Sequence, residues 1–312
     1  MVSNIVEFIP VWAIASVFSK FLFYFGSLSL GGGALCLIFF NDKTFPNYTL
    51  LLQYIGFGSL LGVHAELLFF LLKVGELADT GFLGMFDIGY AKILWRTPIG
   101  VVLRYRSFAF LLVLIVAFFT HSKLVRLSSP PGKMFFYPLL IAQGIALLLI
   151  ISVFRVSGHV SVLDDLSWIV VGIHFLAFCC WIGSLFPLHW TLENSSMVIA
   201  KTLLTRFSVA GSIAVGLMVT TGFYVTYRLT GFSIEEFLSA YGQYLLLKIV
   251  FVLSILFVAA LNKWRFVPEL EGFDVASRLN MRQSLRIEVL LSAIVLVITA
   301  YVSSQLSPMS ML

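Results

Sequence analysis

The sequence predicts an all-α polytopic membrane protein, a bundle of eight transmembrane helices. Three observations carry this: 60% of residues are apolar and 11% charged, mean hydropathy is +1.02, and eight apolar stretches recur along the chain. A soluble domain runs nearer to about 45–50% apolar and about 25% charged. These 312 residues hold too few charges to cover a water-facing surface. A cytosolic globular enzyme, a nucleic-acid-binding module and a disordered chain are thereby excluded.

A bilayer core takes about 20 apolar residues per helix. Stretches that fit lie at 16–40, 50–72, 103–120, 134–154, 166–188, 207–229, 242–262 and 287–306. Each is continuous, not alternating as the strands of a membrane barrel are. The first lacks a basic leader and a small-residue cleavage site and reads as a retained span. With no internal repeat or soluble domain, residues 1–312 read as a single integral membrane domain. Residues 82–95 are apolar but too short to span, and suit an interfacial or re-entrant helix with Trp95 and Arg96 at headgroup level. Gly31-Gly32-Gly33, Gly58-x-x-x-Gly62 and Ser208-x-x-x-Ser212 allow helices to approach closely.

Orientation follows from basic residues in the loops. Eleven Lys and Arg flank the loops after spans one, three, five and seven, against eight on the other side. The bias is narrow, because Lys73, Lys92, Arg96, Arg104 and Arg106 fall together on the poorer side. It places both termini outside. The net charge of +5 therefore reports topology and not an anionic partner. Cys36, Cys179 and Cys180 sit in apolar stretches, and adjacent cysteines do not make a relaxed disulfide.

Ionisable residues inside a membrane are costly and mark function by default. His64 and His174 lie in different spans, each about eight residues from the outer end, or about 12 Å deep at 1.5 Å per residue. Two imidazoles at one depth could share a metal, a haem or a proton path. His159 lies in an outer turn beside Asp164 and Asp165; His121 and His189 lie at cytoplasmic span ends. Helical phase puts His174, Phe178, Trp181 and Leu185 in one stripe and turns Cys179 and Cys180 away, as packing residues. Glu66 points about 200° round from His64 and is expected to face another neighbour, such as an amide or a basic group. Met218, in span six, offers a thioether suited to Cu(I). The Met309 and Met311 tail offers two more, although a frayed apolar terminus is the preferred reading there. Lys248 can snorkel to the outer surface. No phosphate-binding loop is present, which argues against ATP-driven pumping.

At this point the chain resembles the CopD/PcoD copper-resistance membrane proteins. The resemblance rests on Ser157-Gly158-His159; His174 followed by Trp181-Ile-Gly183-Ser-Leu185; Arg206-Phe207-Ser208; Thr221-Gly222; and Tyr241-Gly242 through Lys248. It continues with Asn262-Lys-Trp-Arg265 with Pro268, Arg286-x-Glu288 and Leu306-Ser-Pro308, preceded by Thr97-Pro98-x-Gly100-x-x-x-Arg104. It covers about 97–308 in order and leaves His64 and Glu66 unsupported. It implies eight spans, a bacterial inner membrane, copper handling and a periplasmic copper-binding partner.

Two mechanisms are expected to compete. In the leading one, copper is transported or delivered across the inner membrane: His159 receives the ion, His174 with His64 holds it, and Met218 supplies a soft ligand. The alternative is a membrane oxidoreductase with b-type haem, held by His64 with His174 and by His121 with His189, acting on copper or quinone. The protein is an enzyme only in the second case. No nucleic acid is involved, and a homo-oligomer is left open.

Overall fold

The computed structural model describes residues 3–39, 48–156, 164–270 and 275–306. Eight of its helices are long and apolar enough to cross a membrane, as expected. They are built on α1 (Ser3–Phe39), α2 (Tyr48–Ala78), α4 (Pro98–Leu124), α5 (Tyr137–Ser152), α6 (Asp165–Asn194), α7 (Met197–Thr230), α9 (Ala240–Leu261) and α11 (Val275–Gln305), the first span starting at Val11, the fourth extended by 3₁₀ turns to Met134–Arg155 and the seventh running on to Glu269. Three short helices link them: α3 (Ile88–Trp95), α8 (Ile234–Leu238) and α10 (Val267–Glu269). No strand occurs among the described residues.

Several helices outrun the apolar stretches that announce them. The tails of α6 and α7 leave only Ser195 and Ser196 between them. Ser196 caps α7 by accepting from the Ile199 amide, and Arg278 at the start of α11 donates to the carbonyls of Leu192, Glu193 and Ser195. These contacts satisfy orphan helix-end groups, so the polar sequence on either side of Ser195 and Ser196 stays helical. At its other end α7 closes on Gly231, whose φ of 56° is left-handed, a conformation glycine adopts without strain.

The end where α1 begins and α11 finishes is called upper below. α1 is the central post: it packs on α2, α6, α11 and α5, and 61% of its most apolar window is buried. The expected close approach appears in its contact with α6. A Cβ on Gly32 would lie 1.9 Å from the Gly183 carbonyl carbon, and one on Gly31 would lie 2.6 Å from Cys179 Cβ. The Tyr54 hydroxyl donates to the Gly183 carbonyl at 2.9 Å, tying α2 to the same crossing. On the other flank, Gly62 leaves room for the Phe110 ring. Cys179 is thus a packing residue, and all three cysteines are free.

Residues 82–95 form a 3₁₀ turn (Phe82–Phe86) followed by α3. Leu83, Phe86 and Ile88 are exposed, as suits a segment lying in the interface. The Arg104 guanidinium stacks 4.9 Å over Trp95 and donates to its carbonyl.

Arg106 corrects the loop count. It lies inside α4, buried, and pairs with buried Glu66 of α2 at 3.2 Å, while Lys73 pairs with Glu76. Two of the five charges on the poorer side are therefore matched by carboxylates. Glu66 does face a different neighbour from His64, and of the two kinds expected it is the basic one. The guanidinium also sits 4.2 Å over the Phe23 ring, a cation–π contact that partly replaces lost hydration.

Candidate metal site in the upper half of the bundle

His174 projects from α6 against α7. Its Nδ1 lies 3.1 Å from the Met218 carbonyl oxygen and 3.1 Å from Thr221 Oγ1. A carbonyl can only accept. The Thr221 hydroxyl donates its own proton to the Leu217 carbonyl, so toward the imidazole it too accepts. Both partners require the proton on Nδ1, which leaves the Nε2 lone pair of the neutral ring free. A ligating histidine is ordinarily fixed in this way, by a second hydrogen bond that sets tautomer and ring angle. Nε2 makes no hydrogen bond among the described residues. Gly222 completes the cradle: a Cβ there would lie 3.1 Å from His174 Cε1, so a side chain would crowd the ring.

Lys248 of α9 comes close enough to act electrostatically on the same imidazole. The positions 174, 221 and 222 thus converge on one place, with Lys248 within electrostatic reach. Met218 is buried beside them. Its established contact with His174 is through its backbone carbonyl, a role that residue type does not announce.

His64 does not join this site. α2 packs on α1 and α4, whereas α6 packs on α1, α7 and α11. The His64 side chain is exposed, and its Nδ1 turns back to the Leu60 carbonyl at 2.8 Å. Because α2 runs on to Ala78, His64 lies fourteen residues from its upper end, against nine for His174 in α6. The two counts differ by five residues, about 7.5 Å along a helix, and the two side chains lie on helices that each pack mainly on other neighbours. No contact among the described residues supports the second pairing either. His121 is on α4, where it lines a groove of about 310 Å³ with Leu52, Phe57 and Phe118. His189 is on α6, with Arg286 donating to its Nε2 at 3.3 Å and the Glu193 carboxylate 3.6 Å away. The structure therefore gives neither axial pair that the haem reading needs. No group of three or more His, Cys, Asp or Glu side chains able to hold a metal occurs among the described residues.

His159, Met309 and Met311 lie outside the described residues. At the upper edge, Asp164 caps α6, accepting from the Ser167 hydroxyl and backbone amide, and pairs with Arg228 of α7 at 3.2 Å. The Ser167 hydroxyl, followed by the backbone amide and Arg228, holds its carboxyl below the usual carboxylate range. This pair clasps the α6–α7 ends above His174.

Fold and site together define a multi-pass helical membrane protein with one preorganised imidazole between packed spans. Comparison with known proteins narrows the class. Residues 201–302 match the family model of copper resistance protein D, so the likeness to the copper-resistance membrane proteins is shown over that stretch. The Inner membrane protein YebZ of Escherichia coli (strain K12) is 24% identical over 233 residues, 74% of this chain and 76% of that protein. No solved structure matches.

Proposed function

We propose that this protein carries or delivers copper ions across a bacterial inner membrane, upper end outward, through the His174 site. The observation that carries the reading is the free, fixed Nε2 of His174, with α6 and α7 clasped around it, in a chain that resembles copper-resistance proteins. Imidazole and thioether are the ligand types suited to copper. In this reading His159 receives the ion outside and a periplasmic copper-binding protein supplies it. His174 holds the ion in the bundle, and Met218 offers a soft donor beside it. Among the described residues His174 stands without a cage of other ligands, and Lys248 adds a nearby positive charge. Both keep binding moderate, as a path that must release its ion requires.

The test is copper uptake into proteoliposomes by the wild type and by His174→Ala. The expected result is uptake by the wild type and at least a tenfold loss in the variant. Equal uptake by the two, or none by the wild type, overturns the reading.

A further inference from the structure

A second buried polar group lies in the lower half of the bundle, away from His174. Glu288 of α11 is 3% exposed. The side chain facing it is Asn262, itself 6% exposed, at the start of a single π turn (Asn262–Phe266) that follows α9. Such turns recur at functional sites. Both the nitrogen and the oxygen of the Asn262 amide are buried with no hydrogen-bond partner among the described residues other than the Glu288 carboxyl it faces. A carboxyl and an amide, each nine-tenths or more buried, thus stand together where α11 packs on the π turn.

The ionisable groups on the elements packed against α11 are held elsewhere. On α6, His189 and Glu193 are engaged with Arg286, and Glu193 also with Arg282. On the π turn, Lys263 donates to Ser212, and Arg265 pairs with Glu269 beyond it. On α9, Lys248 lies fourteen residues from Asn262, about 21 Å up the helix, toward His174. On α1, Tyr24 bonds Ser303 near the upper end, Lys20 sits over Phe69, and Cys36 is a buried thiol. On α11 itself, Arg278 is spent on the α6 carbonyls. Among the described residues of these elements no cation is seen to pair with Glu288, and an unpaired carboxylate in a membrane interior is costly.

We propose that Glu288 is a reversible proton-binding site and that Asn262 serves both of its states. An amide carries donors and an acceptor. Its nitrogen can donate to the carboxylate. After the carboxylate takes a proton from the lower aqueous side, its new hydroxyl can donate to the amide oxygen. An aliphatic partner could satisfy neither state and a cation only one. The site stands on its own geometry and does not depend on copper moving through His174.

The test is an infrared pH titration of the full-length protein in lipid nanodiscs without copper, comparing wild type, Glu288→Gln and Asn262→Leu. Glutamine keeps the shape of the side chain, and circular dichroism checks that helix content is retained. Expected is a protonated-carboxyl band in the wild type that disappears as pH rises, is absent in Glu288→Gln, and disappears at higher pH in Asn262→Leu, which lacks the donor to the charged form. A band of constant intensity across pH, marking a permanently neutral structural acid, overturns the proposal. So does a wild-type spectrum with no titrating band that Asn262→Leu shifts, the result expected if the carboxylate permanently holds a cation.

Discussion

Gly183→Ala tests the crossing on which the site's position depends. An added Cβ would lie 2.0 Å from the Leu28 carbonyl oxygen. Ordinary van der Waals contact begins near 3.4 Å, so α1 and α6 must part by about 1.4 Å at that point. Both atoms in conflict are backbone or backbone-attached, and no rotamer change relieves them. Overpacking of a tight core costs about 1–3 kcal/mol, and a radial gap of about 0.5–1 Å already forfeits a quarter to a half of each dispersion contact around it. The Tyr54–Gly183 hydrogen bond at 2.9 Å is disturbed as well, worth about 1 kcal/mol. The expected loss is therefore about 3 kcal/mol, roughly a hundredfold in the folded-to-unfolded ratio. The assay is denaturation of the purified protein by dodecyl sulfate in mixed micelles, followed by circular dichroism. Gly144→Ala and Gly216→Ala are the controls, since an added Cβ there meets nothing within 4 Å. If Gly183→Ala unfolds at the same detergent fraction as these two, the close-packing argument is wrong.

Two further outcomes are expected. Arg106→Met strands the Glu66 carboxylate in a buried site and should destabilise by about 3–5 kcal/mol; adding Glu66→Leu should recover most of this, and a double mutant no more stable than Arg106→Met would refute the pairing. Asp164→Asn should lower the thermal midpoint at neutral pH. Because the folded carboxyl titrates below its ordinary value, its contribution is complete above that value, about 3.9, and fades as pH falls through the lower folded one. The gap between variant and wild type should close in acid, and a gap independent of pH would count against the clasp.

Much of this architecture was legible in the residues. Apolar length found all eight spans, because the requirement is set by bilayer thickness and not by neighbours. Helical phase turned Cys179 and Cys180 from His174 and turned Glu66 away from His64 to another neighbour, with an amide or a basic group both open; the partner is Arg106. Small residues at 31–32 and 62 marked real close contacts. Depth misled where phase was not applied. His64 shares a span with Glu66, yet it turns outward, and counting residues along a helix cannot say which way a side chain faces. Hydropathy also ended spans at the first polar residues, so it missed the long tails of α6 and α7, and the loop count took in Arg106 although the apolar stretch 103–120 already contained it. The cradle around His174 was illegible for another reason. Two of its contributions, the Met218 carbonyl and the space over Gly222, are properties of backbone that no side-chain pattern announces.

The central position of α1 also sets a timetable for biogenesis. Of the described helices, α1 is made before the others and is the one most surrounded in the finished bundle. Gly32 meets Gly183, 151 residues later, and Tyr24 meets Ser303, 279 residues later. At about 5–20 residues per second of synthesis, the glycine face of α1 waits roughly 8–30 s for α6, and its tyrosine up to about a minute for α11. During that interval lipid, the insertion machinery or a chaperone must occupy the surface that α6 and α11 later claim. Errors of assembly should therefore begin with misplaced early partners on α1, well before residues 201–302 exist.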